Sequence, residues 1–188
     1  MNKYQIIYAD PPWSYEFSHT RARAITDYPT MDKTELCKLP IESIAEDNSL
    51  LFMWITFPKL NWAFDVMKSW GFQYTTNGFT WVKQNKTGNG LFWGMGYYTR
   101  SNAEICLIGK RGDGVPVVSH SIHSVAFEPI SKHSRKPIEF KNRIVELFGD
   151  VNRIELFARK EDLLFDADGF DGWDVWGNEV ESDINLLS

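Results

Sequence analysis

Gln5-Ile6-Ile7-Tyr8-Ala9-Asp10-Pro11-Pro12-Trp13 is the stretch that decides the fold. Five residues of strand type run into two prolines, which cannot continue a hydrogen-bonded ladder, so the strand stops and Asp10 stands at its carboxyl end. Working outward, residues 50–55, 79–82, 103–108 and 153–158 read as further strands of buried type. Between them lie helices. Pro58 suits the first turn of a helix reaching Trp70, with Leu60, Ala63, Phe64 and Met67 on one face and Gly71 as its stop. Asp32 and Glu35 form a capping-box pattern for a helix over 33–39, closed by Pro40. Pro137 opens another, with Phe140, Ile144, Val145 and Phe148 inward and Gly149 beyond its end. Strands alternating with helices predict an α/β sandwich: a mostly parallel sheet with helices on both faces. Ligands of such sheets gather outside the strand carboxyl ends, where Asp10 and Arg159 both fall. Residues 14–30 and 87–98 read as loops, and the pairs Gly88/Gly90 and Gly94/Gly96 as flexible hinges in the second.

A chain of 188 residues with 43% apolar content can bury one sizeable core, so a single domain over 1–188 is expected, without a separate substrate domain. No apolar stretch is long enough to span a bilayer and none resembles a signal peptide, which predicts a soluble, cytoplasmic protein with no membrane partner. Cys37 and Cys106 are too few and too widely separated for a zinc site or a disulfide framework. They read as core packing, and no metal is expected. Oligomeric state stays open between monomer and homodimer.

The net charge of −5 argues at first against a nucleic-acid partner. Its distribution changes that. No Lys or Arg follows Lys160, while nine of the 25 acids do, which leaves 16 acids against all 20 bases over residues 1–160, a body charge of +4. The densest basic run is Lys132-His133-Ser134-Arg135-Lys136, with smaller groups at Arg21/Arg23 and Lys83/Lys86. Such a run is compatible with phosphate contacts and equally with a solvated face. The distal tail, residues 180–188, carries Glu181 and Asp183 and no base, and is expected to repel nucleic acid weakly unless Ile184, Leu186 and Leu187 pack it on the body or on a second subunit.

Asp-Pro-Pro-Trp at a strand end suits transfer to an exocyclic amine. The lone pair of such an amine is conjugated into the base, and the nitrogen attacks only when its hydrogens are held out of the ring plane. The Asp10 carboxylate and the Pro11 carbonyl, aimed by the stiff Pro11-Pro12 turn, would be the two acceptors, and Trp13 could stack on the base. No strong base is needed beforehand, because the amine becomes acidic as it attacks. On four residues alone, a simple strand-ending turn explains the motif as well.

The rest of the chain resembles the DPPW family of adenine-N6 methyltransferases, which includes the catalytic subunit that methylates eukaryotic mRNA and many bacterial and phage DNA enzymes. The resemblance runs nearly end to end: Tyr8–Trp13, Tyr28-Pro29-Thr30-Met31, Leu51-Phe52-Met53-Trp54-Ile55-Thr56, Trp81-Val82-Lys83, Asn102-Ala103-Glu104-Ile105-Cys106-Leu107-Ile108-Gly109, Ser134-Arg135-Lys136-Pro137, Ile154-Glu155-Leu156-Phe157-Ala158-Arg159, then Trp173 and Trp176-Gly177-Asn178-Glu179. It implies a permuted Rossmann-like class I methyltransferase domain, catalytic motif first and cofactor half last, that uses S-adenosylmethionine. The catalytic residues would be Asp10, Pro11, Pro12 and Trp13. Lys136 looks like the partner of the cofactor's carboxylate, Phe157 would pack on the cofactor, and Arg159, Asn178 and Glu179 look like its ribose and amino-acid contacts. Asp10 would face both the cofactor's amino group and the target amine.

The implied substrate is DNA, its target base flipped out of the duplex at a cost of a few kcal/mol. Trp13, Tyr15, Tyr28, Trp93, Tyr97 and Tyr98 are candidates to catch that base, with Arg21, Arg23, Arg100, Lys132 and Arg135 on phosphates. Nine residues precede Asp10, where longer members carry adenine-ring contacts, so other residues are expected to hold that ring. The glycine-rich dinucleotide fingerprint is absent. Alternatives are the same reaction on RNA, or a catalytically silent nucleic-acid-binding subunit, which the intact tetrapeptide disfavours. Cytosine-N4 transfer more often has Ser where Asp10 stands, and zinc deamination needs a His-x-Glu with a Cys-x-x-Cys, which the chain lacks.

Overall fold

The computed structural model describes residues 2–15, 29–96, 98–131, 135–159 and 172–186. Seven strands form one sheet: β1 (Tyr4–Ala9), β2 (Ala45–Ile55), β3 (Gln73–Gln84), β4 (Ala103–Arg111), β5 (Val125–Pro129), β6 (Arg153–Leu156) and β7 (Trp173–Trp176), in the spatial order β5-β3-β4-β2-β1-β6-β7. β4 alone runs antiparallel to its neighbours; β2, β1, β6 and β7 pair in parallel, as do β3 and β5. The reversal has a local cause. No helix crosses over between β3 and β4, and a return without a crossover can only be antiparallel.

Among the described residues three α-helices pack on the sheet: α1 (Lys33–Cys37), α2 (Leu60–Ser69) and α3 (Glu139–Phe148). They cover both faces, because alternate strand residues point to opposite sides. Ile7, Ala9, Leu51, Met53, Ile154 and Leu156 pack with Leu36 of α1 and Ala63, Val66 and Met67 of α2. Ile6, Tyr8, Phe52, Trp54 and Cys106 meet Phe140, Ile144 and Phe148 of α3 on the other side. Trp70, just past α2, donates its indole N–H to the Leu36 carbonyl at 2.8 Å and ties α1 to α2. The capping box forms as the sequence indicates: Asp32 Oδ1 accepts from the Glu35 amide at 2.9 Å, and Glu35 Oε2 from the Asp32 amide at 2.7 Å.

Several expectations need correction. Phe64 does not face the core; it is exposed and meets Tyr74 edge to face at 5.1 Å, while Val66 takes the inward position. β5 and β7 were not expected as strands. β5 exposes alternate residues at the sheet edge and closes on Pro129, and β7 is only Trp173-Asp174-Val175-Trp176. β6 stops at Leu156 because Phe157 has φ 64°, outside strand geometry.

Of the glycines in the β3–β4 connection, Gly94 and Gly96 are not open hinges. A Cβ on Gly94 would lie 1.9 Å from the Ser101 carbonyl oxygen, and one on Gly96 would lie 2.3 Å from that of Thr99, so two passes of backbone are pressed together there. Nor does the distal tail stand clear. The Asp183 amide donates to Val175 O at 2.9 Å and its carboxylate accepts from Val175 N at 2.8 Å, and Leu186 is buried in the α1/α2 core. Asp183 is tied to β7 by these hydrogen bonds, and Leu186 is held by apolar burial. Among the described residues, no helix is long and apolar enough to cross a membrane.

Candidate active site

Register places four strand ends together. Ala9 pairs with Met53 and with Leu156, and Ile55 with Ile105, so the carboxyl ends of β1, β2 and β6 share one edge with the start of β4. Asp10 is the first residue beyond β1. A tight turn follows it: the Trp13 amide donates to Pro11 O at 2.8 Å, the Met31 amide to Pro12 O at 2.8 Å, and the Ser14 amide to Met31 O at 3.0 Å. Pro11 O thus keeps one lone pair in a fixed direction. Trp13, offered by the sequence as a stacking surface, is only 6% exposed, and its indole N–H donates to Trp54 O at 3.1 Å. In this structure its ring packs among core residues and fixes the path of the tetrapeptide.

Asp10 belongs to a chain of ion pairs. Lys136 Nζ lies 2.6 Å from Asp10 Oδ2 and 3.2 Å from Glu104 Oε2, and Glu104 also binds Lys83. Lys136 and Glu104 are almost fully buried, and Lys136 lies 5.5 Å from the Trp54 ring centroid. Burial alone would lower the Lys136 pKa, but Asp10 and Glu104 more than offset it and hold the ammonium well above the usual lysine range. Burial likewise pushes the Glu104 carboxyl up, and Lys136 and Lys83 more than reverse this, leaving it below its ordinary value. Burial also pushes the Cys106 thiol well up, so it is an inert packing group and no nucleophile.

Two cavities adjoin at Asp10. One, an open cleft with about 420 Å³ of empty space that includes open solvent, is lined by Tyr8, Asp10, Arg135, Lys136, Lys141, Glu155, Phe157 and Arg159. The other, with about 370 Å³ of such space, is lined by Asp10, Pro12, Pro29, Phe157, Ala158, Arg159, Asn178 and Glu179. Asp10, Phe157 and Arg159 belong to both. Every residue that the sequence assigned to cofactor contact therefore lines one cavity or the other. Phe157 is held in its left-handed conformation by Trp70, stacked at 6.4 Å, and Trp176, edge-on at 5.4 Å. A bulky side chain in that conformation is characteristic of a site under constraint. Among the described residues, no cluster of His, Cys, Asp and Glu is suited to a metal ion.

The turn carrying Asn178 and Glu179 depends on Gly177. A Cβ there would sit 2.2 Å from the Ala158 carbonyl oxygen and 2.9 Å from its nitrogen, beside the hydrogen bond from Ala158 N to Trp176 O. Gly177→Ala is expected to cost about 1–3 kcal/mol, since both partners are backbone and neither can step aside cheaply. Denaturant melts measure it; a variant as stable as the parent would mean that the turn yields freely.

The nucleic-acid candidates divide. Arg135, expected on phosphates, lines the larger cavity beside Lys136 and Asp10. Tyr15 lies at the rim, hydrogen-bonded to Thr56, with the Lys59 ammonium 5.4 Å from its ring. Arg100 is exposed and lies over the Trp93 ring at 4.5 Å. Arg21, Arg23, Tyr28, Tyr97 and Lys132 lie outside the described residues. Sequence reasoning missed Lys83, Glu104, Lys141 and Glu155 as site residues. Lys141 and Glu155 form a buried pair at 2.8 Å against the larger cavity. The available signal was a charge inside an apolar pattern: Glu104 and Glu155 interrupt core strands, and Lys141 lies on the inner face of α3.

A mostly parallel sheet with helices on both faces, its strand ends gathered around an acidic residue and two cavities, is the architecture of a Rossmann-like methyltransferase domain. Residues 4–179 match the MT-A70 family, and the chain belongs to that family of methyltransferases. It is similar to the Type II methyltransferase M.MunI of a Mycoplasma species, 32% identical over 95% of this chain and 78% of the relative. It is also similar to the human N(6)-adenosine-methyltransferase catalytic subunit METTL3, 25% identical over 100% of this chain but only 30% of that protein. The Arabidopsis thaliana non-catalytic subunit MTB is 33% identical over 58% of this chain and 14% of its own length.

Proposed function

We propose that the chain, as one domain of permuted order, transfers a methyl group from S-adenosylmethionine to the N6 amino group of adenine in DNA. The observation that carries this reading is the position of Asp10, at the end of β1 and in the walls of both cavities. The donor set fits the cofactor. Arg135 and Lys136 suit a carboxylate, Asp10 suits an ammonium, Asn178 and Glu179 offer the mixed donors and acceptors a vicinal diol requires, and Phe157 is an apolar wall. When bound, S-adenosylmethionine supplies an electrophilic methyl carbon on a positively charged sulfur.

The remaining work falls to the chain. Asp10 and the free lone pair of Pro11 O accept the two amine hydrogens and turn the nitrogen lone pair out of conjugation. The hydrogen bond from Trp13 N to Pro11 O keeps that carbonyl aimed, and the burial of Trp13 keeps the turn from slackening. Lys136 holds Asp10 in position through its contact at 2.6 Å. As the nitrogen gains the methyl group it becomes acidic, and Asp10 is the adjacent group able to take the proton.

DNA is favoured because the relative covered over 78% of its length is a Type II methyltransferase. RNA is the second reading, supported by the adenosine-methylating eukaryotic relatives. The intact Asp10–Trp13 motif and Lys136 count against a silent subunit. To test the proposal, methyl-labelled S-adenosylmethionine is incubated with the chain and equal masses of unmethylated genomic DNA and total RNA, and the labelled nucleoside is identified by mass spectrometry. N6-methyldeoxyadenosine is the expected product. Label confined to RNA would reassign the substrate, and 4-methylcytosine in DNA would overturn the adenine assignment.

Lys136→Ala is expected to weaken cofactor binding roughly tenfold to a hundredfold through the loss of one charge-assisted bond, about 1.5–3 kcal/mol. Calorimetric titration of the cofactor reads this directly. Unchanged cofactor affinity with loss of DNA binding would move Lys136 to phosphate contact.

A further inference from the structure

The connection between β3 and β4, residues 85–102, leaves the sheet at the same edge as Asp10, since Val82 pairs with Ala103. Its two roots are fixed to the site. Lys83 and Glu104 flank it and bind each other, and Glu104 reaches Asp10 through Lys136. The segment is also ordered within itself. Phe92 N donates to Lys83 O at 2.8 Å, Asn85 N to Gly90 O at 2.9 Å, and Ser101 N to Gly94 O at 3.3 Å, while the Asn85 carboxamide accepts from Thr87 and Asn89 amides. Glycines at 94 and 96 allow its two passes to press together into a thin ribbon.

What this ribbon presents is unusual for a solvated surface. Leu91, Trp93, Met95 and Tyr98 are all exposed, Trp93 at 72%. Large aromatic and thioether side chains left in water on an ordered segment need an apolar partner surface. The same segment carries Lys86 and Arg100 and not one acidic residue, in a chain with an acidic excess. Arg100 lies over the Trp93 ring, so cation and aromatic face travel together. A partner that is apolar between flat faces and anionic at its edge has the chemistry of stacked bases flanked by phosphates.

We propose that residues 91–96 and 98–100 form an intercalating wedge, with Trp93 entering the base stack of duplex DNA at the gap an extruded adenine leaves and Arg100 meeting the adjacent phosphate. This rests on the adenine-N6 reading above and deepens it: the substrate is paired DNA, and the wedge holds the duplex open while the target base lies at Asp10. Apolar side chains inserted at a base step offset the unstacking that extrusion requires. Only a base that starts out stacked and paired needs such help.

The test compares wild-type and Trp93→Ala full-length proteins on two duplexes containing a site mapped from methylated genomic DNA. In one the target adenine is paired with thymine; in the other it faces an abasic position. Because Trp93 is exposed, the variant is expected to keep the wild-type circular dichroism spectrum and melting temperature. The expected result is a loss of roughly tenfold to a hundredfold in kcat/KM on the paired duplex and less than about threefold on the abasic one. An equal loss on both, or none on either, overturns the wedge. So does sedimentation of the wild type as a dimer that Trp93→Ala dissolves, which would make the patch an interface between two copies. Wild-type methylation of single strands alone removes the wedge but spares the adenine reading. Failure of the wild type on every substrate ends both.

Discussion

Asp10→Ala is expected to abolish methyl transfer, by at least about a thousandfold, while the protein keeps its fold. The size follows from what Asp10 does: one of the two acceptors that localise the amine lone pair is removed, at the reacting atom and in a partly closed site. The fold survives because Asp10 lies beyond the end of β1, about a quarter exposed, and because Lys136 keeps Glu104 as a partner at 3.2 Å. Asp10→Asn separates geometry from charge. An amide accepts a hydrogen bond with less charge, so the Asn variant should retain cofactor binding yet lose most of the rate. Single-turnover rates, with circular dichroism on each variant, decide the matter; near-wild-type turnover by a folded Asp10→Ala protein would remove Asp10 from the chemistry.

Glu104→Ala is expected to be the most destabilising single change at the site. It removes the carboxylate paired with largely buried Lys83 and one of the two paired with buried Lys136, which keeps only Asp10. Breaking a buried pair by deleting one partner costs about 3–5 kcal/mol, which for a chain of this size is roughly 10 °C in melting temperature. Because the folded carboxyl lies below its ordinary pKa, its ion pairs contribute fully above the unfolded value of about 4.3, and the contribution disappears as the pH falls through the lower, folded value. The wild-type protein should therefore lose stability in acid more steeply than Glu104→Gln, which has no charge there to lose. Thermal melts of both from pH 7 down to pH 3 provide the comparison. Parallel curves, or a Glu104→Ala melting temperature within about 2 °C of wild type, would mean that the ion-pair chain is a surface ornament.

The sheet edge at Asp10 is legible in the sequence because its signals are local. Two prolines after an apolar run end β1 wherever the rest of the chain goes, and Asp32 with Glu35 caps α1 on its own. Arg159 could be placed because a strand of known direction ends beside it, and Phe157 through the family resemblance. What escaped depends on partners distant in sequence. Glu104 looks like an interruption in β4 until Lys83 and Lys136 are folded against it. The antiparallel setting of β4 is a property of the connection and not of the strand. Gly94 and Gly96 resemble hinges because sequence reports freedom of the backbone and not the carbonyls pressed against it. The tail's packing escaped for a related reason: Asp183 reads as a negative charge in sequence, which does not show the β7 amide that its carboxylate accepts from. Trp13 carries both sides of the lesson, since its place in the motif was plain but its burial was not.

The central claim is that the paired cavities around Asp10 hold the cofactor, with its amino-acid end at Lys136 and its ribose at Asn178 and Glu179. A crystal structure of the chain with S-adenosylhomocysteine tests this most directly. The expected result is a ligand spanning both cavities past Asp10, its carboxylate in salt-bridge contact with Lys136 and its ribose hydroxyls bonded to the Asn178–Glu179 turn. A ligand bound elsewhere on the chain, or one lying in these cavities with its ribose at Lys136 and its carboxylate at Asn178, would contradict the assignment.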